Sequence, residues 1–364
     1  MIFFKTMSDN FIQKNIPSGW QLKKLSDTLD YERPDQYIVK SVSYNDKSKI
    51  PVLTANKSFI LGYTDEDFGV YKNIPAIIFD DFTTDSKFVN FPFKIKSSAI
   101  KILKEKNVDI DLRFVFEKMK SINFPTGVHK RFYISQYQNL EILLPPLKEQ
   151  QKIAEILGAV DEDIAKTQEL IEATEKLKRG LMQELFTHGI GHTKFKDVKL
   201  GKLCEFKYGF SLPETKREKG HIPVYGSNGK VGYHKVKSVS GPLIIIGRKG
   251  TIGAITWSDV DCWPIDTTYY VENGNYDLKW LYYLLIYLRL NKMNTASGTP
   301  GLNRDEAYSR NVNVPSQNEQ QKIADILSSI DEKISVNKKL KEKLILLKKG
   351  LMRDLLSGRV RVNI

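Results

Sequence analysis

Cysteine is nearly absent from this chain: two residues, Cys204 and Cys262, in 364. Two thiols cannot build a disulfide framework or a zinc site, and five scattered histidines add no ligand cluster. Small secreted scaffolds and metal-stapled domains are thereby set aside, and no metal is expected. Long apolar runs are missing too. The longest, Leu281 to Leu288, is far below the roughly 20 residues that cross a bilayer, and the opening MIFFKTM is too short for a signal peptide. A cytoplasmic chain is expected, in keeping with a reducing compartment. Acids are in the minority, 43 against 56 Lys and Arg, for a formal charge of +13. Such an excess attracts polyanions, nucleic acid first, although anionic membranes compete on charge alone.

Catalytic signatures are the next absence. There is no Asn/Asp-Pro-Pro-Phe/Tyr loop of the kind adenine methyltransferases use, and no glycine-rich cofactor loop between a strand and a helix. Gly247-Arg-Lys-Gly lacks the spacing of a phosphate-binding Walker loop. Asp80, Asp81 and Asp85 could in principle hold a metal, yet three acids in one polar loop read more simply as solvated. A binder without catalytic residues or a cofactor of its own is the expectation.

What is present is a repeat. EQQKIAEILGAVDEDIAKTQELIEATEKLKRGLMQELF, from Glu149 to Phe186, recurs without a gap from Glu319 to Leu356, with roughly 20 identities in some 44 positions. Apolar residues at alternating spacings of three and four place one stripe on a helix. In the first copy the predicted stripe is Ile153, Leu157, Val160, Ile164, Thr167, Leu170, Leu177, Leu181 and Leu185. In the second it is Ile323, Leu327, Ile330, Ile334, Asn337, Leu340, Leu344, Leu347, Leu351 and Leu355. At 1.5 Å per residue each helix would run on the order of 55 Å. That exceeds what one small domain covers and suits pairing of the two copies. The first copy carries roughly three more acids than bases and the second roughly three more bases, so their polar faces attract.

Along the chain, residues 1–19 read as a leader, 20–145 as a first globular domain, 146–188 as the first long helix and 189–195 as a glycine-punctuated linker. Residues 196–313 follow as a second domain, 314–358 as the second helix and 359–364 as a tail. Ile38–Val42, Ile50–Leu53, Ala76–Phe79 and Phe88–Ile95 have strand-like content, and Asp111 opens a short helix to Ser121. The fold class is α/β (α+β), with two strand-rich domains. The second domain echoes the first: Ile222-Pro-Val-Tyr matches Ile50-Pro-Val-Leu, and Asp277-Leu-Lys-Trp matches Asp111-Leu-Arg-Phe. The helices are well kept between the halves while the polar content of the domains diverges.

The proline-led EQQKIA, the distal Leu-Lys-Arg/Lys-Gly-Leu-Met and their recurrence after a variable domain resemble the specificity subunits of type I restriction-modification systems. That resemblance implies two target recognition domains, each reading one half of a split double-stranded DNA sequence. It also implies an antiparallel coiled coil of the two helices that sets the gap between the half-sites. The expected partners are two methyltransferase (modification) subunits, and restriction subunits through the complex. S-adenosylmethionine, and ATP with Mg for restriction, would then be used by those partners and not by this chain.

Candidate DNA-contacting residues follow from side-chain type, since Arg can grip guanine, Asn can grip adenine, and Lys mostly neutralises phosphate. They are Arg248, Lys249, Ser227, Asn228, Asn303 and Arg304 in the second domain. In the first they are Asn56, Lys57, Lys87, His129, Lys130 and Arg131. For each, a solvated loop residue is the simpler reading.

Overall fold

The computed structural model describes residues 16–45, 47–56, 58–125, 130–191, 195–293 and 301–364. The backbone clusters into two compact units, Met1–Thr167 with Leu340–Ile364, and Gln168–Lys339. Each unit combines one strand-rich domain with part of both long helices.

In the first unit a four-stranded antiparallel sheet runs in the order Leu29–Glu32, Ile100–Glu105, Ala76–Asp80, Ser86–Val89. A three-stranded sheet joins Ile60–Thr64 to Ile50–Leu53, and Ile50–Leu53 in parallel to Lys94–Ile95. The second unit repeats both sheets. Its four strands are Cys204–Tyr208, Thr268–Asn273, Leu243–Gly247 and Ile255–Ser258, and its three are Gly229–His234, Ile222–Gly226 and Trp263–Pro264. Ala76–Asp80 and Leu243–Gly247 are buried along their whole length, which is why they read as unbroken apolar runs.

Two predicted strands differ. Ile38–Val42 makes only an isolated bridge from Ile38 to Ile95, because the amides of Lys40 and Ser41 donate to the Glu66 carboxylate instead of a ladder. Phe88–Ile95 is broken between Val89 and Lys94, where Pro92 removes a ladder donor. The short helix opened by Asp111 forms as read, and the echo at Asp277 opens a second one. Asp111 accepts from Phe114 N at 2.7 Å to cap Leu112–Ser121, and Asp277 accepts from Trp280 N at 2.7 Å to cap Leu278–Tyr287.

The repeat forms two continuous helices, Leu147–Thr187 and Gln317–Leu355. In the first unit Lys348 Nζ donates to Asp161 at 2.6 Å; in the second unit Lys178 Nζ donates to Asp331 at 2.6 Å and Lys338 to Glu175 at 2.7 Å. Within each unit, then, the start of one helix lies antiparallel to the end of the other. Ile153, Leu157, Ile323, Leu327, Ile330 and Ile334 are buried as the stripe predicts, while Val160, Ile164, Leu181, Leu344 and Leu351 are half-buried.

Leu170, Leu177, Leu340 and Leu347 are 52, 57, 44 and 51 % exposed and do not belong to the seam. A strict four-three alternation passes one position later, through Ile171, Thr174 and Lys178 and through Lys341, Leu344 and Lys348. Following leucines moves the stripe sideways, because two seam positions hold lysines satisfied by aspartate on the facing helix. Thr167 is buried and returns its hydroxyl to Asp163 O of its own helix at 2.6 Å.

The recurring EQQKIA fastens each domain to its helix. Gln150 accepts from Asp111 N at 2.8 Å and donates to Asp109 O and Pro145 O at 3.0 and 2.8 Å. Gln320 accepts from Asp277 N at 2.8 Å and donates to Pro315 O at 3.0 Å. Ile153, Ala154, Leu157, Leu355 and Leu356 complete the core of the first unit; Ile323, Ala324, Leu327, Met182 and Leu185 complete that of the second. Arg361, in the segment read as a tail, donates Nε and Nη2 to the two carboxylate oxygens of Glu149, which also accepts from Trp20 Nε1. Its Nη1 donates to Ser18 O, so the end of the expected leader is held. Among the described residues no helix is long and apolar enough to cross a membrane.

Candidate nucleic-acid interface

In the second unit three of the segments chosen from sequence meet. The turn bearing Ser227 and Asn228 joins Ile222–Gly226 to Gly229–His234 and lies against the loop after Leu243–Gly247. Gly247 has to be glycine, since a Cβ there would stand 2.0 Å from Thr251 O and 2.7 Å from Ser227 O. Gly250, at φ +78°, would bring a Cβ within 3.2 Å of Ser227 Oγ. Leu302 N donates to Arg248 O at 3.0 Å and so brings up the third segment, Asn303 and Arg304.

At the meeting point two guanidinium groups flank an aromatic pair. Arg248 and Arg304 lie 5.2 and 4.6 Å from the Tyr208 ring, and 5.9 and 5.6 Å from that of Tyr269. Tyr208 is half exposed and Tyr269 buried. Burial, followed by the neighbouring Tyr208, pushes the Tyr269 phenol up to about 12, so it stays a neutral platform. Among the described residues Arg248 spends Nε and Nη2 on Asp266 O, at 3.1 and 2.5 Å, whereas Arg304 spends only Nη1, on Phe206 O at 3.2 Å. Of the two, Arg304 therefore keeps more donors for a ligand.

The remaining candidates divide. Lys249 and Asn228 are exposed, and Ser227 is half-buried. Asn303 is exposed but its side-chain oxygen accepts from Asp305 N and Glu306 N, capping Arg304–Ser309. Tyr208 was not among the sequence candidates; an aromatic within a strand gives no sign of which face is wet.

The first unit puts different chemistry at the same places. Asp81 O accepts from Phe132 N at 2.9 Å, as Arg248 O does from Leu302 N, so Asp81 stands where the second unit has Arg248. Register places Lys101 opposite Phe79, as Tyr269 is opposite Ile246. Asp81 is buried, accepts from Tyr133 N at 2.7 Å and lies 3.4 Å from Lys101. Asp80 is buried and accepts from Phe82 N and Thr83 N at 2.9 Å. Reading these two acids as solvated is thus corrected: the loop and its neighbour use their carboxylates to tie down backbone donors. Only Asp85 is exposed. Among the described residues no group of His, Cys, Asp and Glu could hold a metal.

Asn56 is exposed in the turn between Ile50–Leu53 and Ile60–Thr64. Lys130 and Arg131 are exposed, the latter 6.0 Å from the Phe82 ring. Lys87 is half-buried on Ser86–Val89 rather than in a loop. Lys57 and His129 lie outside the described residues.

Comparison with known proteins bears on these twin sites. Residues 17–175 and 192–345 match the family described as type I restriction modification DNA specificity domain. The chain is 31% identical to the type I restriction enzyme EcoR124I/EcoR124II specificity subunit of Escherichia coli, over 84% of this chain and 85% of that one. It is 25% identical to the type I restriction enzyme MjaVIII specificity subunit of Methanocaldococcus jannaschii, over 100% and 98%. The crystal structure of the type I restriction-modification S subunit from M. genitalium shares the fold, with a TM-score of 0.74 at 20% identity over 94% and 97% of the chains. Two family matches, one on each half of a duplicated frame whose exposed loops differ, show that this chain belongs to the type I restriction-modification DNA specificity family.

Proposed function

We infer that this chain is the DNA-recognition component of a type I restriction-modification complex, each domain reading one half of a bipartite duplex target. The observation that carries the reading is the pair of equivalent loops: one frame twice, with Asp81 and Lys101 in one unit where the other has Arg248 and Tyr269. A protein meeting one symmetric sequence would not need two chemistries; a protein meeting two unlike half-sites does. The long helices, better kept than the domains, set the spacing and dock two modification subunits. Restriction subunits join through that complex. S-adenosylmethionine, ATP and Mg²⁺ serve those partners, and the chain itself carries no catalytic step.

Binding selection from a randomised duplex library tests this. Two short motifs at a fixed separation are expected, and one contiguous motif would overturn it. Incubation of the chain alone with S-adenosylmethionine and DNA is expected to yield no methyl transfer.

A further inference from the structure

The recurring Leu-Lys-Arg/Lys-Gly-Leu-Met stretch lies on the long helices, away from the candidate DNA-contacting loops in sequence, and it forms a wall of an open cleft in each unit. In the second unit a cleft of about 630 Å³ has Met182, Ile255 and Leu285 on its floor, with Arg179, Arg289 and Lys292 around it. In the first unit a cleft of about 550 Å³ has Ile164, Ile345 and Met352, with Lys120, Lys349 and Arg353 around it. The two are related by the repeat. Met182 and Arg179 stand 170 positions before Met352 and Lys349, and the opposite walls hold Ile286 and Lys120, each nine residues after its capping aspartate.

Among the described residues no carboxylate lines either cleft, although behind that of the first unit Lys120 lies 3.7 Å from Glu117 and Arg353 pairs with Asp354 at 2.9 Å. This leaves Lys349 there, and Arg179, Arg289 and Lys292 in the cleft of the second unit, to meet a partner. Arg289 holds a left-handed backbone, φ 52°, at the end of Leu278–Tyr287, a strained setting for a residue with a Cβ. An apolar floor under cations is a poor phosphate site, since phosphate wants donors throughout. It is a good seat for apolar side chains flanked by carboxylates. Both clefts also lie against the helices, which recur closely, and not at the loops that differ.

We propose that the two clefts are equivalent docking sites for an acidic, leucine-like segment of a protein partner, one copy per cleft. This rests on the reading that modification subunits dock here, and names where and by what chemistry they do so.

The test uses the full chain and the modification subunit of its own complex, with native mass spectrometry to count bound copies. Arg179→Glu and Lys349→Glu should each weaken one site by about tenfold. With the modification subunit just sufficient to fill both sites of the unaltered chain, each should leave predominantly one copy bound where that chain holds two, and the double variant predominantly none. Melting temperature and DNA affinity should be unchanged; Arg179→Gln and Lys349→Gln, milder at the same positions, replace any variant that melts early. Two copies retained by the double variant would overturn the proposal. So would a loss of DNA affinity with a shallower salt dependence and unaltered copy number, which would make the clefts phosphate sites. An unaltered chain that binds no modification subunit would instead overturn the docking reading itself, and the proposal with it.

Discussion

The same cross-helix pair is set in two different surroundings. In the first unit Lys348 faces Asp161 at 2.6 Å and also Glu117 at 3.0 Å; Glu117 is fully buried and further contacted by Arg113 at 3.3 Å and Lys120 at 3.7 Å. In the second unit the position of Glu117 is taken by Tyr283, whose hydroxyl donates to Asp331 at 2.9 Å while Lys178 lies 5.2 Å from its ring. One junction is a charged network whose buried carboxylate makes ion contacts without well-aligned hydrogen bonds. The other is a simple pair with a neutral phenol. Recurrence of sequence thus preserves geometry while the energetics are free to differ.

Breaking each pair should expose that difference. Lys348→Met takes from buried Glu117 the nearest of its three cations and should cost up to about 3 to 5 kcal/mol. Lys178→Met, in a partly exposed pair, should cost about 1 kcal/mol or less. Urea unfolding of the two variants measures both, and equal losses would erase the distinction.

Where the units are alike, the losses should match. Gln150→Ala and Gln320→Ala each leave the amide of a capping aspartate without its acceptor, for about 1 to 3 kcal/mol apiece. Hydrogen exchange at Asp111 and Asp277 should accelerate together.

The loops sharpen the contrast in DNA binding. Arg304→Ala should cost about 1 to 3 kcal/mol of discrimination at one base pair of one half-site. Arg248→Ala, whose fork is already engaged by Asp266 O, should weaken all sequences alike and lower the salt slope by about one. Affinities for a panel of single-base variants at two salt concentrations decide between the two.

The smallest effect concerns acid. Burial opposes ionisation of Asp161, but Lys348, Lys120 and Arg113 outweigh it and hold its carboxyl below the ordinary 3.8. A depressed folded value stabilises above the unfolded pKa and loses that contribution as pH falls through the folded one. Stability should therefore drop below about pH 4 more steeply in the native chain than in Lys348→Met, as followed by circular dichroism.

Much of the frame was legible because it is periodic or punctuated: the repeat, the aspartate caps, the buried central strands. The seam was legible only while its positions were apolar. At Lys178 and Lys348 the deciding contact lies on the facing helix, more than 150 positions away, and leucines one step off drew the stripe aside. The same holds at the candidate DNA-contacting loops. Composition singled out Arg248 and Arg304, but Tyr208 between them and the tethering by Asp266 O depend on which strands become neighbours.

Among the described residues the side chains of Gln150 and Gln320 hydrogen-bond to main-chain groups of the domains they hold. A grip of that kind is indifferent to what side chains the held domain carries. Mutation can therefore rewrite a domain's surface, or recombination replace the domain outright, while the mounting stays tight. Divergence in what is read then carries little penalty in how firmly it is held, which makes new target preferences mechanically cheap for this architecture to acquire.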